Sequence, residues 1–135
     1  MEQTVHEFIY QKHSEKQFMA ILSASERLFI LKGIDNVKLT DIAAECGIMR
    51  STFYRYFKNK EEILWHIMRR HTTIFSHKLE ERFKLTVGTA YDRYRTFLDI
   101  LYETFVTDVD VFLFLDIFND TYQYATSGND NEKYN

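Results

Sequence analysis

The 135-residue sequence contains no proline and only four glycines, and this absence constrains its fold more than any other feature. Proline and glycine supply the tight turns on which β-sandwiches and flexible linkers depend. A chain with so few of them favours helices. Apolar residues make up 45% of the sequence and aromatic residues 16%, enough to bury a core. We therefore expect a soluble all-α protein of one domain or two small ones.

The sequence lacks residues that several classes of protein require. One cysteine, Cys46, allows neither an internal disulfide nor a zinc site built from several cysteines. No G-x-S-x-G, H-E-x-x-H or glycine-rich phosphate loop occurs. No apolar stretch approaches the length of a transmembrane helix, and the N-terminus has no signal-peptide pattern. We expect no enzyme activity, no cofactor, no metal site, no membrane partner and a cytoplasmic location.

Apolar spacing and capping residues predict six helices. The pattern Ser14-x-x-Gln17 predicts a capped first helix over about 15–32, preceded by a partly ordered arm over 1–13. The glycines at 33, 47, 88 and 128 fall where helical patterns end. The other predicted helices cover 39–46, 50–57, 60–83, a segment opened by Thr89 and Asp92, and 109–125, with a frayed tail over 126–135.

The two short helices on either side of Gly47 form, with the first helix, a helix-turn-helix pattern. The second short helix carries Phe53 and Phe57 inward, four residues apart, and polar side chains outward. Basic, hydroxyl and phenolic groups on such a helix contact phosphates and base edges in the major groove of DNA. The whole chain has a net charge of −3, but residues 49–60 hold four basic residues and no acid: Arg50, Arg55, Lys58 and Lys60.

The segment from Gln17 to Leu64 resembles the DNA-binding domain of the TetR family of bacterial transcriptional regulators. The matching pieces are Ala24…Leu28-Phe29…Gly33, Asp41-Ile42-Ala43…Gly47-Ile48, and the run from Thr52 to Leu64. That last run, TFYRYFKNKEEIL, is the most specific. The resemblance implies a three-helix N-terminal DNA-binding domain, followed by a helical domain that binds an inducer and dimerises.

The resemblance also implies roles for individual residues. Thr40, Arg50, Ser51, Thr52 and Tyr56 occupy positions that approach bases, and Tyr54, Arg55 and Lys60 occupy positions that grip the sugar–phosphate backbone. Three residues depart from the family pattern, and one of them is Ser51, which replaces a frequent glycine. Lys38 replaces the hydroxyl residue that usually caps the second helix, and it could reach a phosphate instead. Met49 replaces the serine that usually caps the second short helix, which is the recognition helix of the family. Loss of such a cap lowers stability by about 0.5–2 kcal/mol.

A DNA-binding domain over 1–62 would leave 63–135 as a helical regulatory and dimerisation domain, which looks short or truncated for the family. Its sixth helix is apolar on nearly all sides, so either a second chain or helices missing from a fragment must cover a stripe on it. That stripe consists of Val111, Phe114, Leu115 and Phe118. For a ligand pocket we single out Tyr94, Leu98, Tyr102, Phe112 and Asp116, with plain core or solvated roles as the alternative.

These patterns together predict a sequence-specific DNA-binding regulator that acts as a homodimer on a palindromic operator. We expect a repressor that a small-molecule inducer releases from double-stranded DNA. Two alternatives remain at this stage. One is a helical protein-interaction module whose helix-turn-helix is non-functional, which the missing caps would suit, and the other is a small-ligand-binding helical protein without DNA activity.

Overall fold

The computed structural model describes the backbone of residues 5–130 and the side chains of Glu7 and residues 11–122. Over that range the chain is helical and has no strand, which confirms the predicted all-α class. The helices are α1 (Val5–Lys32), α2 (Leu39–Glu45), α3 (Arg50–Tyr56), α4 (Lys60–Leu85), α5 (Ala90–Thr107) and α6 (Val109–Asp130), with a 3-10 turn at Ile34–Asn36. A search of the described helices for one able to cross a membrane finds none.

The first helix is longer than the sequence predicts. α1 begins at Val5, so the arm predicted over 1–13 is wrong for residues 5–13, and residues 1–4 lie outside the described range. Ser14 and Gln17 therefore lie inside α1 and do not cap its start. Extending a helix that has already nucleated costs little per residue, and no proline or glycine precedes Ser14 to stop it.

The last described helix is also longer than predicted. α6 continues to Asp130 through Gly128, so the predicted end at Ala125 and the frayed tail are wrong for residues 126–130. Residues 131–135 lie outside the described range. A single glycine inside a helix costs about 1 kcal/mol, which lowers helix stability without ending the helix.

The predicted starts and stops in the middle of the chain are confirmed. Gly33 follows α1 with a φ of 82° and Gly47 follows α2 with a φ of 63°, the left-handed region that favours glycine. At the start of α4, the backbone N–H of Glu62 donates to Oδ1 of Asn59 over 2.9 Å. At the start of α5, Asp92 Oδ2 accepts a hydrogen bond from the backbone N–H of Thr89 over 2.7 Å.

The described chain packs as two compact units that divide between His66 and Ile67, inside α4. The first unit contains α1 to α3 and the first residues of α4. Its core is built from large apolar side chains on all four helices, and it fixes where α2 and α3 lie. The buried apolar side chains of this unit are Ile21, Leu22, Ala24, Leu28, Phe29, Ile34, Val37, Ile42, Ala43, Phe53, Phe57, Ile63 and Leu64.

The second unit buries fewer of its described side chains. The buried residues of the second unit are Ile67, His71, Ile100, Thr104 and Phe114. Phe114 has no exposed area, and its ring packs 5.8 Å from that of His71. The expectation that a second chain or missing helices must cover the whole stripe of α6 is therefore wrong for Phe114, because this side chain is already fully buried in the single chain.

Candidate nucleic-acid interface

Helices α2 and α3 are joined by a tight turn that Gly47 makes possible. With a φ of 63°, Gly47 reverses the chain, and the backbone N–H of Ile48 then donates to the carbonyl of Ala43 over 3.0 Å. α3 is anchored from below by Phe53 and Phe57, which are almost completely buried. This arrangement of two short helices over a first one confirms the predicted helix-turn-helix.

The opposite face of α3 is open to solvent and polar. Arg50, Ser51, Tyr54 and Arg55 are all exposed, and their spacing places them side by side on that face. The guanidinium of Arg50 lies 5.6 Å from the centre of the Tyr54 ring, a cation–π contact that aligns the two side chains. The exposed face therefore offers two cations, one aliphatic hydroxyl and one phenol.

Thr52 and Tyr56 lie on the flank of α3 and are half-buried. The hydroxyl of Tyr56 donates to Oε1 of Gln17 on α1 over 2.7 Å, and it lies 3.4 Å from Oγ of Ser14. The Tyr56 ring also packs at 6.4 Å from that of Phe18. The structure thus directs the polar end of Tyr56 toward α1.

The remaining predicted DNA contacts lie at helix starts. Lys38 and Thr40 are exposed at the beginning of α2. A lysine ammonium cannot accept a hydrogen bond, so the Lys38 side chain cannot cap the backbone N–H groups of α2. The start of α2 is stabilised instead by Asp41, whose Oδ2 accepts a hydrogen bond from the Lys38 backbone N–H over 2.8 Å. Lys60, the first residue of α4, is half-buried, and its ammonium donates to the carbonyl oxygen of Ile34 over 2.9 Å.

The cysteine of the sequence, Cys46, lies at the end of α2 next to Gly47. Burial raises the pKa of the Cys46 thiol above its ordinary value, so at neutral pH Cys46 is a protonated thiol and a poor nucleophile. No group of three or more potential metal ligands comes together among the described residues. The exposed side chains of α3 are of the chemical types that contact phosphates and base edges in protein–DNA complexes.

The second unit contains a half-open cavity of about 210 Å³. Its walls come from one face of α4, the last turns of α5 and the first turns of α6. The lining residues are His71, Thr72, Ile74, Phe75, Lys78, Leu101, Thr104, Asp108, Val111, Phe112 and Leu115. Six of them are aliphatic or phenylalanine side chains, and the only charged groups are one ammonium and one carboxylate.

The structure brings together two of the five residues predicted to line a ligand pocket. Phe112 lines both the cavity and a shallower groove beside it, and Asp116 borders that groove. Tyr94, Leu98 and Tyr102 are exposed on α5 and line neither this cavity nor the groove beside it. These three belong to a row of exposed side chains, here called the α5 stripe: Tyr91, Tyr94, Leu98, Tyr102 and Phe105.

Sequence reasoning missed two groups of residues. Ser14, Gln17 and Phe18 contact the end of α3, whereas the pattern Ser14-x-x-Gln17 in the sequence predicts a helix cap. The sequence prediction of the pocket also lacks His71, Ile74 and Lys78 of the α4 wall, although residues 71, 74, 75 and 78 follow the spacing of one helical face. That spacing was the available signal, and it identifies a shared face without identifying a cavity.

Comparisons with known proteins agree with this geometry. Residues 21–67 match the family model of bacterial regulatory proteins, tetR family. An HTH-type transcriptional regulator from Staphylococcus aureus strain USA300 is 31% identical over 65 residues, which are 48% of this chain and 35% of that protein. Its counterpart from strain MRSA252 matches with the same identity and coverage. This chain thus spans 35% of the length of these curated relatives.

A solved structure extends the similarity in fold beyond the first unit. The crystal structure of a TetR-family transcriptional regulator from Haemophilus influenzae RD has a TM-score of 0.67 to this chain, at 23% sequence identity. The match covers 79% of this chain and 58% of that one. At that identity the likeness establishes the fold, including helices that follow the helix-turn-helix.

Proposed function

We propose, from the premise that residues 21–67 belong to the tetR family of bacterial regulatory proteins, that this chain regulates transcription by binding double-stranded DNA at specific sequences. The single observation that carries the proposal is the exposed face of α3. Two arginines, a serine and a tyrosine lie there side by side, while Phe53 and Phe57 hold the helix in place from below. In this proposal α3 enters the major groove.

The contacts follow from the chemistry of each side chain. We assign base contacts to Arg50 and Ser51 on α3, with Thr40 and Thr52 at the edges of the same surface. Tyr54, Arg55 and Lys38 bind the sugar–phosphate backbone through a hydroxyl, a guanidinium and an ammonium. Lys60 is a further phosphate ligand, because an ammonium has three donors and the bond to the Ile34 carbonyl uses one.

A seven-residue recognition helix contacts too few base pairs to select one site in a genome. We therefore infer a homodimer on a palindromic operator, whose half-sites lie about one helical turn or a multiple of it apart. The regulator would act in the cytoplasm, where bacterial DNA is found. Repression is the sign we propose, since a protein seated on an operator excludes other proteins from the same DNA.

The cavity of the second unit supports release by a small molecule. An apolar cavity of about 150 Å³ can hold benzene, so about 210 Å³ accommodates a single-ring or short-chain ligand. The hydroxyls of Thr72 and Thr104 donate to the carbonyls of Met68 and Ile100, so their oxygens can offer only lone pairs to a ligand. Together with the carboxylate of Asp108, they favour a compact apolar ligand that brings a hydrogen-bond donor.

Selection of random duplex DNA by the purified chain tests the proposal. We expect one palindromic motif to be enriched, with nanomolar to tens-of-nanomolar affinity. The logarithm of the binding constant should fall linearly with the logarithm of the salt concentration, with a slope that corresponds to several phosphate contacts. The matched control replaces four exposed side chains of α3 together: Arg50→Ala, Ser51→Ala, Tyr54→Ala and Arg55→Ala. Because none of the four is buried, this variant should fold but enrich no motif. Failure of the wild-type chain to enrich any motif would contradict DNA recognition and favour a protein-interaction or ligand-binding module.

A further inference from the structure

The recognition helix α3 cannot hold its own position. It has seven residues, far fewer than an isolated helix needs to be stable in water. Met49 gives its N-terminus no side-chain cap. The orientation of α3 must therefore come from the side chains that join it to the rest of the first unit.

The apolar contacts of α3 determine how closely the helix packs against the core, but they constrain its rotation about its own axis less strictly. Phe57 stacks on Phe18 of α1 with ring centres 5.2 Å apart, and Phe53 lies 6.2 Å from Phe57. Burial of such rings is favourable over a range of orientations, because the hydrophobic effect has no direction. A hydrogen bond does have a direction, and it weakens steeply when its angle departs from linear.

Tyr56 supplies that directional contact. Its hydroxyl donates to Oε1 of Gln17 over 2.7 Å, across 39 residues of sequence. At 100° per residue, Tyr56 lies about 140° around α3 from Ser51, on the flank that faces α1. A bond at this flank opposes rotation of α3 about its own axis.

We propose that Gln17 and Tyr56 are a positioning pair that sets the rotation of the recognition helix and thereby its sequence specificity. The inference rests on the proposed DNA recognition by α3. A side chain extends about 5–6 Å from the helix axis, so a rotation of about 20° moves its tip by about 2 Å. That displacement exceeds what hydrogen bonds to base edges tolerate. Contacts to phosphates tolerate it better, because flexible side chains and water can bridge the gap.

Tyr56 has a different role here from the base contact that the family resemblance implies. A phenol has one proton to donate, and in this structure that proton goes to Gln17. Its oxygen is also within 3.4 Å of Oγ of Ser14. Donation of a hydrogen bond to a base would require the Tyr56 hydroxyl to leave Gln17.

Three variants of the full chain separate positioning from contact. Tyr56→Phe removes the donor, Gln17→Met removes the acceptor with little change in volume, and Gln17→Glu retains an acceptor. Each is compared with wild type for affinity to the enriched motif and to a scrambled duplex of the same composition. Circular dichroism at the assay temperature confirms that each variant is folded.

Tyr56→Phe and Gln17→Met should each weaken binding to the motif about 2–10-fold, the loss typical of one hydrogen bond. Affinity for the scrambled duplex and the salt slope should not change. The double variant should lose no more than either single one. Gln17→Glu should restore the ratio of motif to scrambled affinity, although its added charge weakens both alike.

Three results would overturn the inference. If Tyr56→Phe alters the preferred base at one position while Gln17→Met does not, Tyr56 contacts a base directly. If both variants lower thermal stability but leave the ratio of motif to scrambled affinity unchanged, the pair is only structural. If wild type enriches no motif at all, the proposed function fails first and this inference fails with it.

Discussion

The ammonium of Lys60 donates a hydrogen bond to the carbonyl oxygen of Ile34, 26 residues earlier in the chain, over 2.9 Å. Ile34 belongs to the 3-10 turn that connects α1 to α2, and its side chain is buried. The first residue of α4 is therefore joined to the segment that leads into the helix-turn-helix. The cation that we propose as a phosphate ligand therefore also connects two segments of the first unit.

Replacing Lys60 should consequently affect folding as well as binding. We expect Lys60→Met to lower the free energy of unfolding by about 1–2 kcal/mol, because it removes a half-buried hydrogen bond from a charged donor. Lys58→Met is the matched control, since Lys58 has the same charge and an exposed side chain. Urea denaturation of both variants measures the difference. Equal stability of the two variants would show that the bond to Ile34 contributes nothing.

The same pair of variants also tests phosphate binding. If Lys60 binds a phosphate with its remaining donors, Lys60→Met should reduce the salt slope of DNA binding by about 1 and weaken binding to every duplex alike. The slope is measured at a temperature where both variants are folded. An unchanged slope would leave Lys60 with a structural role only.

Arg50 should determine one base pair in each half-site. It is exposed at the first turn of α3, and its cation–π contact with Tyr54 limits the directions its guanidinium can take. A bidentate arginine–guanine contact discriminates by about 1–3 kcal/mol, so Arg50→Ala should lose a preferred base at one position and keep the rest of the motif.

Selection from random duplexes measures this effect. Arg27→Ala serves as the control, because Arg27 pairs with Glu45 over 3.6 Å and belongs to α1. Its motif should be that of wild type. An identical motif for Arg50→Ala and wild type would mean that Arg50 binds phosphate or solvent.

The core and turns of the first unit were predictable, because their signals are local. Glycine at 33 and 47 and the cap at Asn59 act within a few residues, and the structure places helix ends there. Ser14 and Gln17 show where local signals mislead. Their spacing suits a capping box equally well, but α1 continues through them, and both side chains turn to Tyr56 on another helix. No pattern within α1 could reveal a partner 39 residues away.

The second unit was harder to predict for a related reason. Periodicity finds the apolar face of a helix but does not say what covers that face. It identified the face of α5 that carries Tyr94, Leu98 and Tyr102, and the structure leaves this face exposed. The side of α5 that is buried is marked by Ile100 and Thr104. Thr104 can be buried because its hydroxyl donates to the Ile100 carbonyl of the same helix. Since threonine is a polar residue, its position in the sequence does not indicate that it is buried.

The start of α5 should make the second unit sensitive to acid. Hydrogen bonds from the backbone N–H and hydroxyl of Thr89 lower the pKa of Asp92 below its ordinary value. A carboxyl whose pKa is lower in the folded state stabilises that state above its unfolded pKa, about 3.9, and the contribution is lost as the pH falls through the folded value. The thermal midpoint of Asp92→Asn should therefore lie below that of wild type at pH 7, and the gap should close below about pH 4.

Thr89→Val serves as the control for this pH dependence. It removes the hydroxyl donor but keeps the backbone N–H that donates to Asp92, so it should retain part of the acid sensitivity. Thermal unfolding followed by circular dichroism across the pH range gives all three curves. A gap between wild type and Asp92→Asn that is as wide at pH 3 as at pH 7 would exclude the charge of Asp92 as its cause.

Assembly should depend on the α5 stripe more than on α6. Five large side chains of the stripe are exposed, among them Tyr102 at 70%, and a continuous apolar row of this size commonly marks an interface. Phe114 is fully buried in the single chain, so Phe114→Ala should lower the free energy of unfolding by about 3–5 kcal/mol. Leu98→Glu with Tyr102→Glu should change the free energy of unfolding of the isolated subunit by less than about 0.5 kcal/mol each, because both sites are exposed.

The consequence for DNA binding follows from the need for two recognition helices. If a second copy of the chain covers the α5 stripe, the double glutamate variant should sediment as a folded monomer and bind the palindromic motif more weakly. It should still bind a single half-site as wild type does, because α3 is unaltered. Sedimentation equilibrium and binding to whole and half operators measure both effects. A double variant that remains dimeric, or a wild-type chain that stays monomeric at high micromolar concentration, would contradict this interface.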